Sequence, residues 1–120
     1  MADHNDLGKL GEEMATAFLE KKGYEILARN FTYVKAEVDI IAKKDGQLVV
    51  VEVKTRNSNF MAGPEITVTK KKQKSIIKAA NAYIDENALD IETRFDIISI
   101  ILNSKEKIID HIEDAFYPTI

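Results

Sequence analysis

The 120-residue chain has no cysteine, which excludes disulfides, thiolate zinc sites and cysteine nucleophiles. Histidine is scarce: His4 and His111 lie near opposite ends, which argues against a histidine-rich metal centre. Any bound metal would therefore take oxygen ligands, which favours magnesium or manganese over zinc. No apolar run approaches membrane-spanning length. The opening Met-Ala-Asp-His-Asn-Asp lacks the charged-then-apolar pattern of a signal segment. A cytoplasmic location and no membrane partner are expected. An excess of positive charge is missing too, since 17 Lys and Arg face 20 Asp and Glu for a net charge of −3. That balance argues against a coating-type nucleic-acid binder and permits a local basic patch. Linkers, repeats and low-complexity tracts are also absent, so residues 1–120 read as one domain with a sizeable core.

The pattern along the chain alternates helix and strand. Residues 6–22 read as a helix, with Leu7, Leu10, Met14 and Phe18 recurring at three- and four-residue steps and Gly23 as a stop. Tyr24 to Phe31 reads as a strand, and 34–43 with 47–55 as a hairpin. Arg56 to Glu65 is a loop marked by Gly63-Pro64. Residues 70–87 read as a second helix, with Ile76, Ile77, Ala80, Tyr83 and Ile84 on its inner side. Phe95 to Leu102 is apolar enough to be a central strand buried on both faces, and Lys107 to Ile112 is a weaker edge strand. The order αβββαββ implies an α/β domain with a mixed sheet flanked by helices.

The hairpin is the most informative segment. Asp45-Gly46 suits a two-residue turn, so residue 44 faces 47 and facing positions sum to 91. Extended along the strands, this count sets Asp39 opposite Glu52 and Glu37 opposite Lys54, all on one face. Val38–Val53, Ile40–Val51 and Ala42–Val49 then share the other face as core. Two carboxylates ~5 Å apart repel by ~3 kcal/mol at an effective dielectric of ~20. Either a cation sits there, or the pair shares a proton, or the register departs from the count; the cation is the preferred reading.

Asp39 with Glu52-Val53-Lys54 resembles the PD-(D/E)xK nuclease signature, an acid on one strand followed by Glu-x-Lys on the next. The resemblance extends over most of the chain. Gly8-Lys9-Leu10-Gly11-Glu12, Lys22-Gly23-Tyr24, Asn30-Phe31, Glu37-Val38-Asp39-Ile40-Ile41, Val51-Glu52-Val53-Lys54-Thr55-Arg56, Lys72-Gln73 and Phe95-Asp96 fall in an order similar to the YraN-type family. Ala36 stands where that family usually has glycine, and Val51 where phenylalanine is common; neither is a ligand position. The family is bacterial and largely uncharacterised. The resemblance implies a restriction-endonuclease-like fold similar to archaeal Holliday-junction resolvases, and a divalent-metal-dependent nuclease.

In that chemistry Asp39, Glu52 and the Val53 carbonyl would hold Mg2+ or Mn2+. Lys54 would orient or help deprotonate the attacking water, held in place by Glu37. Glu12 would complete the site from the first helix, where Gly8, Gly11 and Ala15 form a small-residue flank that allows close approach. Glu13 is expected to be solvated. Lys71, Lys74 and Lys78 form an outward row suited to a phosphate backbone and equally to the wet face of an amphipathic helix. The stem of Lys72 follows the inner stripe, so its head could reach the site, and Arg56 leaves the strand just beyond Lys54. DNA is favoured over RNA as the partner, and a two-fold branched substrate would favour a homodimer. The competing reading is a nucleic-acid-binding or assembly module that keeps the fold without turnover. Tyr24, Phe31 and Phe95 are expected in the core, with His111 structural.

Overall fold

The computed structural model describes residues 4–57 and 68–118. Its elements run α1 (His4–Lys21), β1 (Glu25–Tyr33), β2 (Ala36–Lys44), β3 (Gln47–Arg56), α2 (Lys70–Glu86), β4 (Glu92–Leu102) and β5 (Lys107–Phe116). This is the α/β order expected from the sequence. The strands form one five-stranded sheet in the order β1-β2-β3-β4-β5, and β5 is an edge. β3 and β4 are parallel, joined through α2, and the other neighbours are antiparallel. The loop expected from Arg56 onwards lies outside the described residues from position 58.

Both sheet faces are core, which corrects the expectation of one core face and one charged face for the hairpin. On the α2 side, Val38, Ile41, Leu48, Val50 and Phe95 pack with Ile76, Ala79 and Ala80. On the α1 side, Ile40, Ala42, Val49, Val51, Ile98 and Ile100 pack with Ala15 and Leu19. β4 is buried continuously from Phe95 to Ile100, as its unbroken apolar run requires. Thr69 caps α2 by accepting the Lys72 N–H at 3.1 Å. Asp45 and Gly46 both have positive φ, 49° and 78°, the conformation of a type I′ hairpin turn. Val34, in the β1–β2 turn, also has φ +58°. Left-handed backbone at a β-branched residue costs ~1–2 kcal/mol.

The buried stripe of α1 differs from the pattern of its large apolar residues. Leu10, expected inside, is 47% exposed, whereas Ala15 and Leu19 are fully buried. Gly11 explains the rotation. A Cβ built there would overlap the Thr55 side chain on β3, while one at Gly8 meets nothing within 4 Å. The smallest residue of the stripe therefore sets the approach of helix to sheet, and of the small-residue flank Gly11 and Ala15 turn inward.

The two glycines should respond oppositely to alanine. Gly8→Ala is expected to stabilise by ~0.5–1 kcal/mol through helix propensity. Gly11→Ala should destabilise by ~1–3 kcal/mol through overpacking. Thermal unfolding of both variants checks this, and a gain in stability for Gly11→Ala would refute the close packing against Thr55.

Candidate functional site

The hairpin ladder keeps the expected register from Lys44–Gln47 to Ile40–Val51 and then stops. Beyond Ile40, β2 stays paired with β1, through Phe31–Val38 and Thr32–Glu37. β3 stays paired with β4, through Glu52–Ile97 and onward to Arg56–Ile101. The two strands thus part, leaving an opening bordered by Asp39 on one side and Glu52 and Val53 on the other. Val38 and Ile40 lie in opposite cores, so side-chain alternation breaks at Asp39. The direct cross-strand pairs Asp39–Glu52 and Glu37–Lys54 do not form. Glu37 is exposed opposite Thr32, and no Glu37–Lys54 ion pair occurs among the described residues.

Asp39 fills the opening in another way. Its Oδ2 accepts the Val53 N–H at 2.8 Å, replacing the acceptor that the ladder no longer supplies. The N–H and C=O of one strand residue project to the same side. The Val53 carbonyl therefore also faces the opening. Glu52 is 7% exposed, and Lys72 Nζ lies 3.8 Å from its Oε2. Burial pushes the Glu52 carboxyl up to about 8. The charge and hydrogen bond of Asp39 add to the rise, against the ammoniums of Lys72 and Lys54. Below that pH Glu52 holds its proton and donates it to Asp39 in a hydrogen bond. Asp39 and Glu52 are thus brought together by a hydrogen bond across the parting strands rather than by ladder pairing.

Of the other expected residues, Lys72, Lys54 and Glu12 lie close enough to this pair for their charges to interact with it. Lys54 and Arg56 continue the alternation of Leu48, Val50 and Glu52 and lie on the α2 face. Arg56 Nε is buried with no hydrogen-bond partner among the described residues. Lys72 reaches the site as its stripe position implied, and Lys71, Lys74 and Lys78 lie along α2, all three exposed to solvent as the outward row requires. Glu12 approaches from α1. Burial and then the Asp39 charge raise its carboxyl, with a smaller push from Glu37. A hydrogen bond with Asn30 and the Arg29 guanidinium act in the opposite direction. Beside it is a cavity of about 310 Å³ lined by Lys9, Glu12, Glu13, Arg29 and Asn30. Glu13, expected to be solvated, is exposed but paired with Arg29 at 3.1 Å.

Asn30 is not legible from the sequence as a site residue, although asparagine inside a strand hints at the left-handed backbone it adopts, φ +53°. Among the described residues no three acidic or histidine side chains converge to hold a metal. A cation here would rely on Asp39, Glu52 and the Val53 carbonyl, an all-oxygen set that fits a hard divalent ion.

The model of the uncharacterised protein family UPF0102 matches residues 11–100, from the glycine packed on Thr55 through the whole of this site. The chain belongs to that family. This is the YraN-type family whose motif order the sequence resembles. UPF0102 proteins from Flavobacterium psychrophilum, Christiangramia forsetii and Bacteroides thetaiotaomicron are 53%, 50% and 48% identical to it. Each alignment covers 98% of this chain and 98% of the relative. None of these names attributes an activity. Among the described residues no helix is long and apolar enough to cross a membrane.

A second polar cluster, which the sequence does not reveal, lies on the α1 face. Asp96 is fully buried and accepts Arg94 Nε and Nη2, each at 2.9 Å, His111 Nε2 at 2.7 Å and the Asp114 N–H at 2.9 Å. Lys22 Nζ lies 3.1 Å from His111 Nδ1. An ammonium only donates, so Nδ1 accepts and Nε2 carries the proton given to Asp96. Arg94 also donates to Tyr24 Oη at 2.6 Å and pairs with Glu113 at 3.3 Å. This network ties β5 to β4 and to the connection between α1 and β1, and His111 is structural as expected.

Burial alone would raise the Asp96 carboxyl, but hydrogen bonds from His111, Arg94 and Asp114 outweigh it and hold the group below the ordinary aspartate value. A carboxyl depressed in the folded state stabilises above its unfolded value and loses that contribution as pH falls through the folded one. Asp96→Asn should therefore lower stability at pH 7 by ~3–5 kcal/mol, the range for breaking a buried pair, and flatten the stability loss below pH ~4. Chemical denaturation at pH 7 and at a pH of about 3 measures both. An equal loss at the two pH values would overturn the assignment of Asp96 as the ionised centre.

Proposed function

We propose that this protein is a divalent-metal-dependent nuclease that hydrolyses phosphodiester bonds in DNA. The observation that carries this reading is the opening between β2 and β3, where Asp39, Glu52 and the Val53 backbone converge beside Lys72 and Lys54. Asp39, Glu52 and the Val53 carbonyl would hold Mg2+ or Mn2+, which supplies a hydroxide near neutral pH and charge stabilisation at the phosphoryl oxygens. Lys54, on the same strand as Glu52, orients the attacking water and neutralises the phosphoryl group. Lys72 steadies Glu52 and offers an ammonium to the incoming phosphate. Glu12 adds negative charge beside Asp39 and strengthens cation binding there. Arg56 presents a guanidinium at the end of β3, where Nε has a donor to spare.

One observation favours a second reading, a nucleic-acid-binding module without turnover: no third carboxylate converges on the pair among the described residues. Incubation with manganese and linear, flapped and four-way DNA separates the two. The nuclease reading requires cleavage that chelator and Asp39→Asn abolish. Binding without cleavage under all these conditions would support the second reading and overturn the first.

The lysine row of α2 provides a separate check. Neutralising Lys71, Lys74 and Lys78 together is expected to weaken DNA binding evenly across sequences. The salt slope should fall by up to ~3, about one for each phosphate no longer neutralised. Titrations at several salt concentrations measure it, and an unchanged slope would leave the row as the solvated face of α2.

A further inference from the structure

The strained turn at Val34 closes one end of a groove that shares with the residues just described only Lys78. Tyr33 and Ala36 are the last pair of the β1–β2 ladder, and Val34 and Lys35 form the turn beyond them. Across from the turn lies α2, and the space between is a cavity of about 520 Å³. Tyr33, Val34 and Lys35 line it from the hairpin, and Lys78, Asn81 and Asp85 from the helix. Val34 is 85% exposed and Tyr33 is 43% exposed, so the chain places two apolar surfaces at the mouth of the groove, beside its charged and polar side chains. Packing within the protein does not account for Val34, whose positive φ would suit glycine or asparagine better. Backbone strain of this kind concentrates where ligands are clamped.

The groove and the surroundings of the acidic pair share two elements, β2 and α2. Ala36 precedes Asp39 by three residues, ~10 Å along a strand. Lys78 follows Lys72 by six residues, ~9 Å along a helix. β2 and α2 thus each carry one residue of the pair's surroundings and one wall of the groove, on the same side of the sheet. A strand whose phosphate sits at Asp39 and Glu52 reaches the groove with a neighbouring nucleotide. Lys35 and Lys78 outnumber the one lining carboxylate, Asp85, and Lys71 and Lys74 extend the positive row along α2. Aromatic faces combined with cations are the means by which single strands are held regardless of base identity.

We propose that this groove is a subsite for an unpaired nucleotide of the nucleic-acid strand, its base against Tyr33 and Val34 and its phosphate between Lys35 and Lys78. The proposal rests on the nucleic-acid reading above and specifies which form of the strand the protein grips.

Fluorescence anisotropy with labelled single-stranded and duplex oligodeoxynucleotides, in chelator, tests it. Tyr33→Ala should weaken single-strand binding about ten-fold, the range for removing one stacked aromatic, while Tyr33→Phe stays near wild type. Duplex affinity should change less than about two-fold in both. Val34→Gly should raise the melting temperature by relieving the turn and yet weaken single-strand binding, an opposition that a merely structural residue would not produce. If wild type binds and both Tyr33→Ala and Val34→Gly bind single strands equally well, the subsite is overturned and the nucleic-acid reading stands. Equal losses on single strand and duplex would reassign the groove to the duplex backbone and also overturn the proposal. If wild type binds neither form, both the subsite and the nucleic-acid reading fall together.

Discussion

Lys54→Ala is expected to lower DNA cleavage by at least ~100-fold at saturating manganese while changing DNA affinity only a few-fold. Lys54 follows Glu52 by two positions on β3, so both project from the α2 face, and its ammonium is among the charges that hold the Glu52 carboxyl down. Removing it has two consequences that can be separated. In the proposed reaction the water and phosphoryl group would lose the Lys54 ammonium, which would act on the chemical step. Glu52 also grips its proton more tightly, so more manganese is needed to displace it. Saturating metal cancels the second effect and leaves the first. In the proposed complex Arg56, Lys72 and the outer row would still hold the backbone, so affinity would be maintained. Cleavage within a few-fold of wild type under these conditions would remove Lys54 from the reaction.

The second large effect concerns Glu52 and pH. In chelator, wild-type stability should fall as pH rises from about 4.5 to about 8 and level off above that, because the Glu52 carboxyl ionises at about 8 in the folded protein and near 4.5 when unfolded. A group raised in the folded state contributes fully below its unfolded value and loses that contribution as pH climbs through the folded one. Each unit of difference corresponds to ~1.4 kcal/mol, so the loss amounts to several kcal/mol. Glu52→Gln imitates the protonated acid and keeps its hydrogen bond to Asp39. Its stability should match wild type near a pH of about 4, where the acid is protonated in both states, and exceed it by a growing margin up to a pH of about 8. Manganese should raise the wild-type melting temperature and leave that of Glu52→Gln unchanged, since a ligand stabilises only the state that binds it. Parallel pH profiles for the two proteins would show that the carboxyl pair is not where the proton is held.

How far the sequence can be read depends on the range of the interactions involved. The turn at Asp45-Gly46 dictates its own register, and the count from it holds to Ile40–Val51. It fails beyond that pair because β1 and β4 hold β2 and β3 apart, a long-range competition that no local spacing records. Asp39 and Glu52 nevertheless meet, since a side chain can bridge an opening that backbone pairing cannot. Lys72 is legible because helical spacing is regular over one turn. The inner face of α1 departs from its apolar pattern because side-chain size, not hydrophobicity, sets it: Gly11 against Thr55 outweighs Leu10. The Asp96 network is hidden for a different reason. It joins Tyr24, Arg94, Asp96 and His111, residues spread along the chain, and a single aspartate in an apolar strand does not name its partners.

The central seam of the sheet has a consequence for how the molecule assembles. β1, β2 and β3 form a meander of adjacent antiparallel strands, and β4 with β5 forms another hairpin. Each can close with short loops and low entropic cost. The β3–β4 seam is parallel and cannot form until α2 has crossed from one half to the other. Docking of the two halves is therefore the slow, non-local event, and it brings Glu52 of one half against Ile97 of the other. In native-state hydrogen exchange the amides of β3 and β4 along this seam should open together with the highest protection in the molecule, while β1 and β5 open earlier and separately.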